Sequence, residues 1–259
     1  VLTQCNKSGV VRNIYLIDNS PSDSLRDMII SFSKVIYVHN PSNPGYGAGH
    51  NIGIRQSLIG DVEYHLVINA DVILDSAMLD EMLSFCLANP EVSLLAPKML
   101  YEDGTIQFSC KLLPTPLNMF LRAFLPRGLR TSIDAAYQLE NMDHNKPIQA
   151  PYVSGAFMLL KCTTLKEIGI FDERYFMYPE DIDLSRRVFA VSTVLYYPQF
   201  QVIHKYGGAT RRSIRMFLLH MKNMCMYFNK WGWLVDDQRN LMNLKAINQC
   251  DFIINADHL

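Results

Sequence analysis

Short apolar runs alternate with stretches of helical spacing along most of this chain. VVRNIYLID stops at Asp18-Asn19-Ser20-Pro21-Ser22, VIYVH leads into NPSNPGYGAGHNIGI, and YHLVINADVIL is broken by Asn69-Ala70-Asp71. SLLAPKML, APYVSGAFMLLK with its interruption at Ser154-Gly155, STVLYYP and FQVIH supply the other strand-like runs. Residues 51–57, residues 77–87 and TTLKEIG have helical spacing, and Asp103-Gly104 in YEDGTI reads as a hairpin turn. Residues 111–148 carry a weaker signal, with Pro114, Pro116 and Pro126, a basic Arg127/Arg130 pair and a polar tract. An excursion with some helix and a long loop is expected there, of the kind that forms lids or substrate-binding segments. The alternation predicts an α/β fold with a mostly parallel central sheet flanked by helices.

The most distinctive stretch is YFMYPEDIDLSRR, residues 175–187. Acidic residues directly after a proline suit the first turn of a helix, whose free N–H groups and dipole favour negative charge. Leu184 and Val188 recur at i and i+4, and Asp183 precedes Arg187 by four, so a helix starting here is expected. Two polar clusters fall at strand ends. Asp18, Asn19 and Ser20 fit either a ligand loop at the carboxyl end of a strand or an N-cap for a helix over SLRDMIISFSK. Asp71, amid apolar residues, is costly to bury unless paired or bound to a cation, and it equally fits the cap of a turn.

The composition is that of an ordinary globular chain: 259 residues, 49% hydrophobic, 19% charged and a net charge of −1. That balance argues against a nucleic-acid partner, which usually selects a basic surface. Six cysteines are scattered with no CxxC spacing, which predicts buried thiols in a reducing compartment. There is no signal-peptide pattern and no apolar run of membrane-spanning length. A cytoplasmic location is expected. The basic, Met-rich stretch TRRSIRMFLLHMKNMCMYFNKWGW is expected to be a core-packing helix, and peripheral contact with the inner face of the cell membrane stays open as an alternative.

Taken in order, IDNS at 17–20, NPGYGAGHNIGI at 43–54, INADV at 68–72, YVSGAFMLLK at 152–161, IGIFDERYFMYPEDIDLSRR at 168–187 and VIH at 202–204 resemble one known series. They are similar to the inverting family 2 nucleotide-sugar glycosyltransferases of GT-A fold, in particular the rhamnosyltransferase-like branch. The resemblance covers about residues 10–210. It implies a catalytic domain over 1–210, with a C-terminal helical extension over 211–259 packed on it. Family members begin with a strand reading like VxIVTYN and then a helix. This chain starts near the end of that helix, so the strand, which helps to form the nucleotide pocket, is expected to be lacking.

The resemblance also implies roles. Asp18, Asn19 and Ser20 would contact the base and ribose of a dTDP- or UDP-sugar, and Asn43, Gly47 and Asn51 would line the nucleotide-sugar pocket. Asn69-Ala70-Asp71 matches the family's Asp-x-Asp position, with Ala70 where this branch usually has proline. Asp71 would hold Mg²⁺ or Mn²⁺ together with His204, and Asn69 would bind sugar or ribose hydroxyls. Tyr152, Gly155 and Tyr178 would form the acceptor side. Asp181 would be the catalytic base, with Glu180 orienting acceptor or base. Arg211, Arg212 and Ser213 would reach toward the diphosphate. The expected activity is inverting transfer of rhamnose or a similar hexose to a hydroxyl of a polysaccharide or lipid-linked saccharide. Two other classes compete: a nucleotidyltransferase, which would need a phosphate-binding Gly/Lys/Arg loop that is not seen, and a non-catalytic binding subunit lacking the first strand.

Overall fold

We describe the chain from a computed structural model, over residues 1–129, 131–205 and 213–249. After a short helix, α1 (Leu2–Lys7), come β1 (Ile14–Asp18), β2 (Val35–His39), α2 (Tyr46–Ile59), β3 (Tyr64–Ile68), β4 (Val72–Ile73) and α3 (Ser76–Ala88). There follow β5 (Val92–Leu100), β6 (Ile106–Gln107), β7 (Cys110–Lys111), α4 (Pro116–Phe124), α5 (Thr131–Tyr137), β8 (Ile148–Gln149), β9 (Tyr152–Val153) and β10 (Phe157–Lys161). The last elements are α6 (Cys162–Ile168), α7 (Glu180–Val191), β11 (Thr193–His204), α8 (Ile214–Trp231) and α9 (Asp237–Ile247).

Strands and helices alternate as the pattern predicts, and helices flank a central seven-stranded sheet whose main path runs β3-β10-β5-β11-β4. The strand directions correct the expectation of a mostly parallel sheet. Within it only β5 and β11 run parallel; β10 is antiparallel to both β3 and β5, and β4 is antiparallel to β11. The reason lies in YHLVINADVIL, which is two strands rather than one. After β3 the chain turns at Asn69-Ala70-Asp71 and enters the far end of the sheet as β4. Parallel pairing also joins β1 to β2, which form a separate ribbon. A cavity of about 250 Å³, lined by Ile14 and Ile17 of β1, Leu66 and Ile68 of β3, and Met82 of α3, separates that ribbon from the main sheet.

Both faces of the sheet are buried, which is why its strands read as continuous apolar runs. Neighbouring residues alternate between two cores: Leu94, Met158, Val194 and Tyr196 on one face, Leu95, Phe157, Leu195 and Tyr197 on the other. Helix α7 adds Leu184 and Val188 to the first core, and α3 adds Leu79, Met82 and Phe85 to the second. STVLYYP and FQVIH are one strand, β11, whose register shifts between Tyr197 and Gln201 and so accommodates Pro198. The helix considered over SLRDMIISFSK is only a 3₁₀ turn, Arg26–Ile29. Its apolar side chains meet no core: Met28 and Ile30 are 69% and 80% exposed.

Helix α8 buries Asn223, Met224, Tyr227 and Phe228, and shares a core with Leu113, Tyr152, Tyr175 and Ile182. The expected core-packing role of its Met and aromatic residues is therefore seen on one face, while Ile214 and Leu218 stay exposed on the other. Four cysteines, Cys5, Cys86, Cys110 and Cys162, are free and buried, and Cys225 is free and exposed. No helix among the described residues is long and apolar enough to cross a membrane.

Candidate active site

The acidic stretch starts α7 at Glu180, directly after the cis Tyr178-Pro179 peptide. Its three carboxylates take three different environments. Asp183 is fully buried and accepts from Arg187 Nε at 2.8 Å and Trp231 Nε1 at 2.8 Å, with Lys230 Nζ at 2.6 Å. It is a structural tie between α7 and the end of α8, as its spacing from Arg187 suggested. Asp181 Oδ2 accepts from the Gly155 amide at 3.0 Å and from the Tyr152 hydroxyl at 3.2 Å, and Oδ1 from the Ile182 amide at 2.8 Å. Glu180 is 4% exposed, and its Oε2 is buried with no hydrogen-bond partner.

Burial pushes both Glu180 and Asp181 above the usual carboxylate range, and the adjoining Asp181 charge raises Glu180 further. The donors separate the pair. Asp181 has the Gly155 and Ile182 amides, the Tyr152 hydroxyl and the nearby Lys111 ammonium to stabilise its charge, and Glu180 has no such set. The donors favour the negative charge on Asp181 over Glu180, an arrangement that suits a base beside a carboxyl that holds its proton more tightly.

The interrupted strand APYVSGAFMLLK explains how Gly155 reaches Asp181. Tyr152–Val153 pairs with β7 and Phe157–Lys161 joins the main sheet, so Ser154-Gly155 is a bend whose amide faces α7. A Cβ at Gly155 would lie 3.1 Å from Asp181 Cβ and 3.4 Å from the Tyr46 ring, so the glycine permits the close approach. The Tyr46 hydroxyl lies 2.8 Å from Asn69 Oδ1 and 2.7 Å from the Gly155 carbonyl, so its one hydrogen is shared between the two. Burial holds that hydroxyl well above its ordinary pKa, and Glu180, Asp181 and Asp71 all add to the effect. Tyr46 thus joins the Asn69-Ala70-Asp71 turn to the Gly155 bend that meets Asp181.

In that turn Asp71 Oδ1 lies 3.3 Å from His204 Nε2. Antiparallel pairing of β4 with β11 puts His204 opposite Val72, which explains how residues from distant motifs meet. His204 Nδ1 is 2.9 Å from Gln107 Oε1. An amide oxygen only accepts, so Nδ1 donates to Gln107 and Nε2 is the ring nitrogen turned to Asp71. One carboxylate and one imidazole nitrogen side by side suit Mg²⁺ or Mn²⁺, which usually take only part of their ligands from protein. Among the described residues no group of three or more His, Cys, Asp or Glu could hold a metal, so the donor phosphates would have to complete this one. Gln107 had no visible role in the sequence beyond its place after a hairpin turn.

The nucleotide-side residues divide. Asp18, buried at the end of β1, accepts from Ser20 through both its amide, at 3.0 Å, and its hydroxyl, and from Tyr37 Oη at 2.7 Å. Those bonds, Ser20 first, hold its carboxyl below the usual range. The residues therefore form a closed turn beside Asn19, whose Oδ1 accepts from Asn40 Nδ2 at 2.8 Å. Asn19 and Asn43 line a cleft of about 910 Å³ together with Tyr46, Phe176, Met177 and, from α8, Arg215, Leu218 and Lys222. Gly45 at its edge has φ +112°, and any Cβ there would overlap the Phe176 carbonyl, so the glycine loop is locked to the acidic stretch.

Gly47 and Asn51 are corrections. Asn51 is fully buried, donates to the Phe171 carbonyl at 2.9 Å and to Glu173 Oε1 at 2.8 Å, and accepts from the Phe171 amide at 3.1 Å. A Cβ on Gly47 would lie 2.9 Å from Phe171 Cβ. Both residues pack α2 against the segment before α7 and are not among the residues that line the cleft of Asn19 and Asn43. The sequence pattern could not separate these uses, because a glycine and an asparagine serve close helix packing and ligand contact equally. Tyr178 stands with φ +54° and its ring edge-on to His220, 5.0 Å between centroids. Arg211 and Arg212 lie outside the described residues.

The Glycosyl transferase family 2 sequence model matches residues 2–169. The chain belongs to that family and is a glycosyltransferase. It is 28% identical over 214 residues to the N-acetylglucosaminyl-diphospho-decaprenol L-rhamnosyltransferase of Mycobacterium tuberculosis, covering 78% of this chain and 69% of that one. It is 27% identical over 229 residues to the rhamnosyltransferase WbbL of Escherichia coli K12, covering 83% and 81%. The low-salt glycan biosynthesis hexosyltransferase Agl10 of Haloferax volcanii is 29% identical over 182 residues, covering 70% and 54%. In fold the chain is similar to GalNAc-T7, solved with UDP, GalNAc and Mn²⁺, with a TM-score of 0.53 and 14% identity over 75% of this chain and 37% of that one.

Proposed function

We propose that this glycosyltransferase moves rhamnose or a similar hexose, with inversion, from a dTDP- or UDP-sugar to a hydroxyl of a lipid-linked saccharide. The observation that carries the reading is a chain of contacts: the Tyr46 hydroxyl meets Asn69, in the turn that holds Asp71, and the carbonyl of Gly155, whose amide donates to Asp181, while Asp71 lies 3.3 Å from His204. The names of the rhamnosyltransferase relatives support the sugar and the lipid-linked acceptor.

In this mechanism Asp181 Oδ1 or Oδ2 takes the proton of the acceptor hydroxyl as its oxygen attacks the anomeric carbon. The bond from that carbon to the diphosphate breaks in the same displacement, so configuration inverts and no enzyme nucleophile is needed. Mg²⁺ or Mn²⁺ at Asp71 and His204 would supply positive charge to the departing diphosphate. Tyr46 keeps the Gly155 bend and Asn69 in register with one another. Glu180, protonated, offers a buried hydrogen-bonding group to the acceptor side without repelling it. Asn19 and Asn43 hold the nucleotide end in the cleft. Residues 213–249 extend this catalytic unit, with α8 packed on α7 through Tyr227, Phe228 and Ile182.

An acceptor on a lipid requires access to a membrane surface. Leu117 and Phe120 on α4, and Ile214 and Leu218 on α8, are each more than half exposed, and Arg215 and Lys222 flank the latter pair. Apolar side chains beside cations suit peripheral contact with an anionic bilayer, here taken as the inner face of the cell membrane.

The test is transfer to prenyl-diphosphate-linked N-acetylglucosamine with Mn²⁺ and a panel of dTDP- and UDP-sugars, with the product's anomeric configuration read by NMR. Release of nucleoside diphosphate with an inverted product is the expected result. Retention of configuration, or release of pyrophosphate in place of nucleoside diphosphate, would overturn it.

A further inference from the structure

Lys111, one of the groups that favour the Asp181 charge, lies over the ring of Tyr152. Strand β7 pairs Lys111 with Tyr152, so the two side chains share one face of the ladder. The Lys111 ammonium lies 5.4 Å from the centroid of the Tyr152 ring, and the Tyr152 hydroxyl donates to Asp181 Oδ2 at 3.2 Å. Lys111 is mostly buried and makes no hydrogen bond or ion pair within the described residues. A desolvated ammonium without a partner is unfavourable, so its position asks for an opposite charge close by. The other cation of this region, Arg122, already pairs with Asp134 at 2.7 Å.

We infer that Lys111 is a positioning residue for the proton transfer: its ammonium, directly and through the Tyr152 hydroxyl, keeps Asp181 as the carboxylate that receives the acceptor's proton. Two effects act together. The ammonium attracts the Asp181 charge through space, and a cation over the Tyr152 face draws density from the ring and strengthens its O–H as a donor. Burial lowers the affinity of Lys111 for its proton and Arg122 lowers it further, while Asp181 raises it, so lysine and carboxylate hold each other charged. The other groups facing them are Glu180 on α7, Tyr46 on α2, Tyr137 on α5 and Cys110 on β7. Of these only Glu180 opposes the Asp181 charge with a charge of its own, and its proton removes that opposition.

The inference rests on Asp181 being the transfer base, so the experiment has one readout that needs no turnover. In Lys111→Gln the acid limb of kcat/KM is expected to move upward by about one pH unit, with roughly tenfold loss below the limb and recovery above it. Lys111→Arg should keep the wild-type limb. In the substrate-free protein, ¹³C-carboxyl NMR titration of Asp181, assigned with Asp181→Asn, should show the same displacement. Tyr152→Phe, a second variant in case Lys111→Gln does not fold, should move both readouts the same way by less. An unmoved limb and resonance, or a loss of kcat equal at every pH with an unmoved resonance, would overturn the inference. A displaced resonance in a protein that transfers no sugar would support the pairing and reject the transferase mechanism instead.

Discussion

The Gly155 amide points at Asp181 Oδ2 from 3.0 Å, and no side chain intervenes because position 155 has none. The contact ties the acceptor-side bend to the start of α7 and gives the carboxylate one of its donors. If Asp181 removes the acceptor proton, Asp181→Asn should lower kcat by about 10²–10⁴ while leaving the thermal midpoint and nucleotide affinity close to wild type. Gly155→Ala should give a smaller fall in kcat, since its Cβ displaces Asp181 without removing it. Steady-state kinetics with isothermal titration of the nucleoside diphosphate measures both.

Glu180 gives a stability signature of opposite sign to a salt-bridged carboxylate. Burial, and then the Asp181 charge, hold its folded pKa well above that of a free glutamate, so the folded chain keeps the proton to higher pH than the unfolded chain does. The stabilising contribution is full below the unfolded value and is lost as pH rises through the folded one. Glu180→Gln should therefore stabilise the protein at pH 8 and be nearly neutral at pH 4. Urea unfolding at the two pH values tests this, and a variant less stable at pH 8 than wild type would contradict the assignment of the proton.

The Gln107–His204–Asp71 arrangement makes a graded prediction for the metal. Asp71→Ala or His204→Ala should abolish the Mn²⁺ dependence of transfer, and Gln107→Leu should raise the Mn²⁺ concentration for half-activation by about 10–100-fold. Electron paramagnetic resonance of Mn²⁺ in the presence of nucleoside diphosphate reads the same affinities without turnover. Equal Mn²⁺ affinity in wild type and Gln107→Leu would remove Gln107 from the site.

Asn51 separates packing from ligand contact. Asn51→Ala leaves the Phe171 amide and carbonyl without their side-chain partners and should cost at least about 1–3 kcal/mol of stability. Nucleoside diphosphate affinity, measured where the variant is fully folded, should change less than threefold. Chemical denaturation and titration calorimetry check the two halves.

The parts of this site legible in the sequence are those set by chain-local rules. Asp181 follows a proline at a helix start, Asp71 interrupts an apolar run, and His204 ends a strand; each is where its local pattern put it. What escaped depends on pairing between distant segments. Lys111 and Gln107 lie on two-residue strands in the weakly patterned excursion or beside a hairpin, and they matter only because Tyr152 and His204 come to face them. Strand direction escaped for a similar reason. Period-two hydrophobicity fixes which face a residue takes but says nothing about where the next strand joins the sheet.

Asp183 gives α8 a hold on the start of α7. Its carboxylate, two residues from the base, is bound at once by Arg187 of its own helix and by Lys230 and Trp231 at the end of α8. Docking of α8 and the orientation of the first turn of α7 are therefore thermodynamically coupled, and each stabilises the other by the same amount. A force that shifts α8 is thereby passed to the first turn of α7, where Asp181 stands.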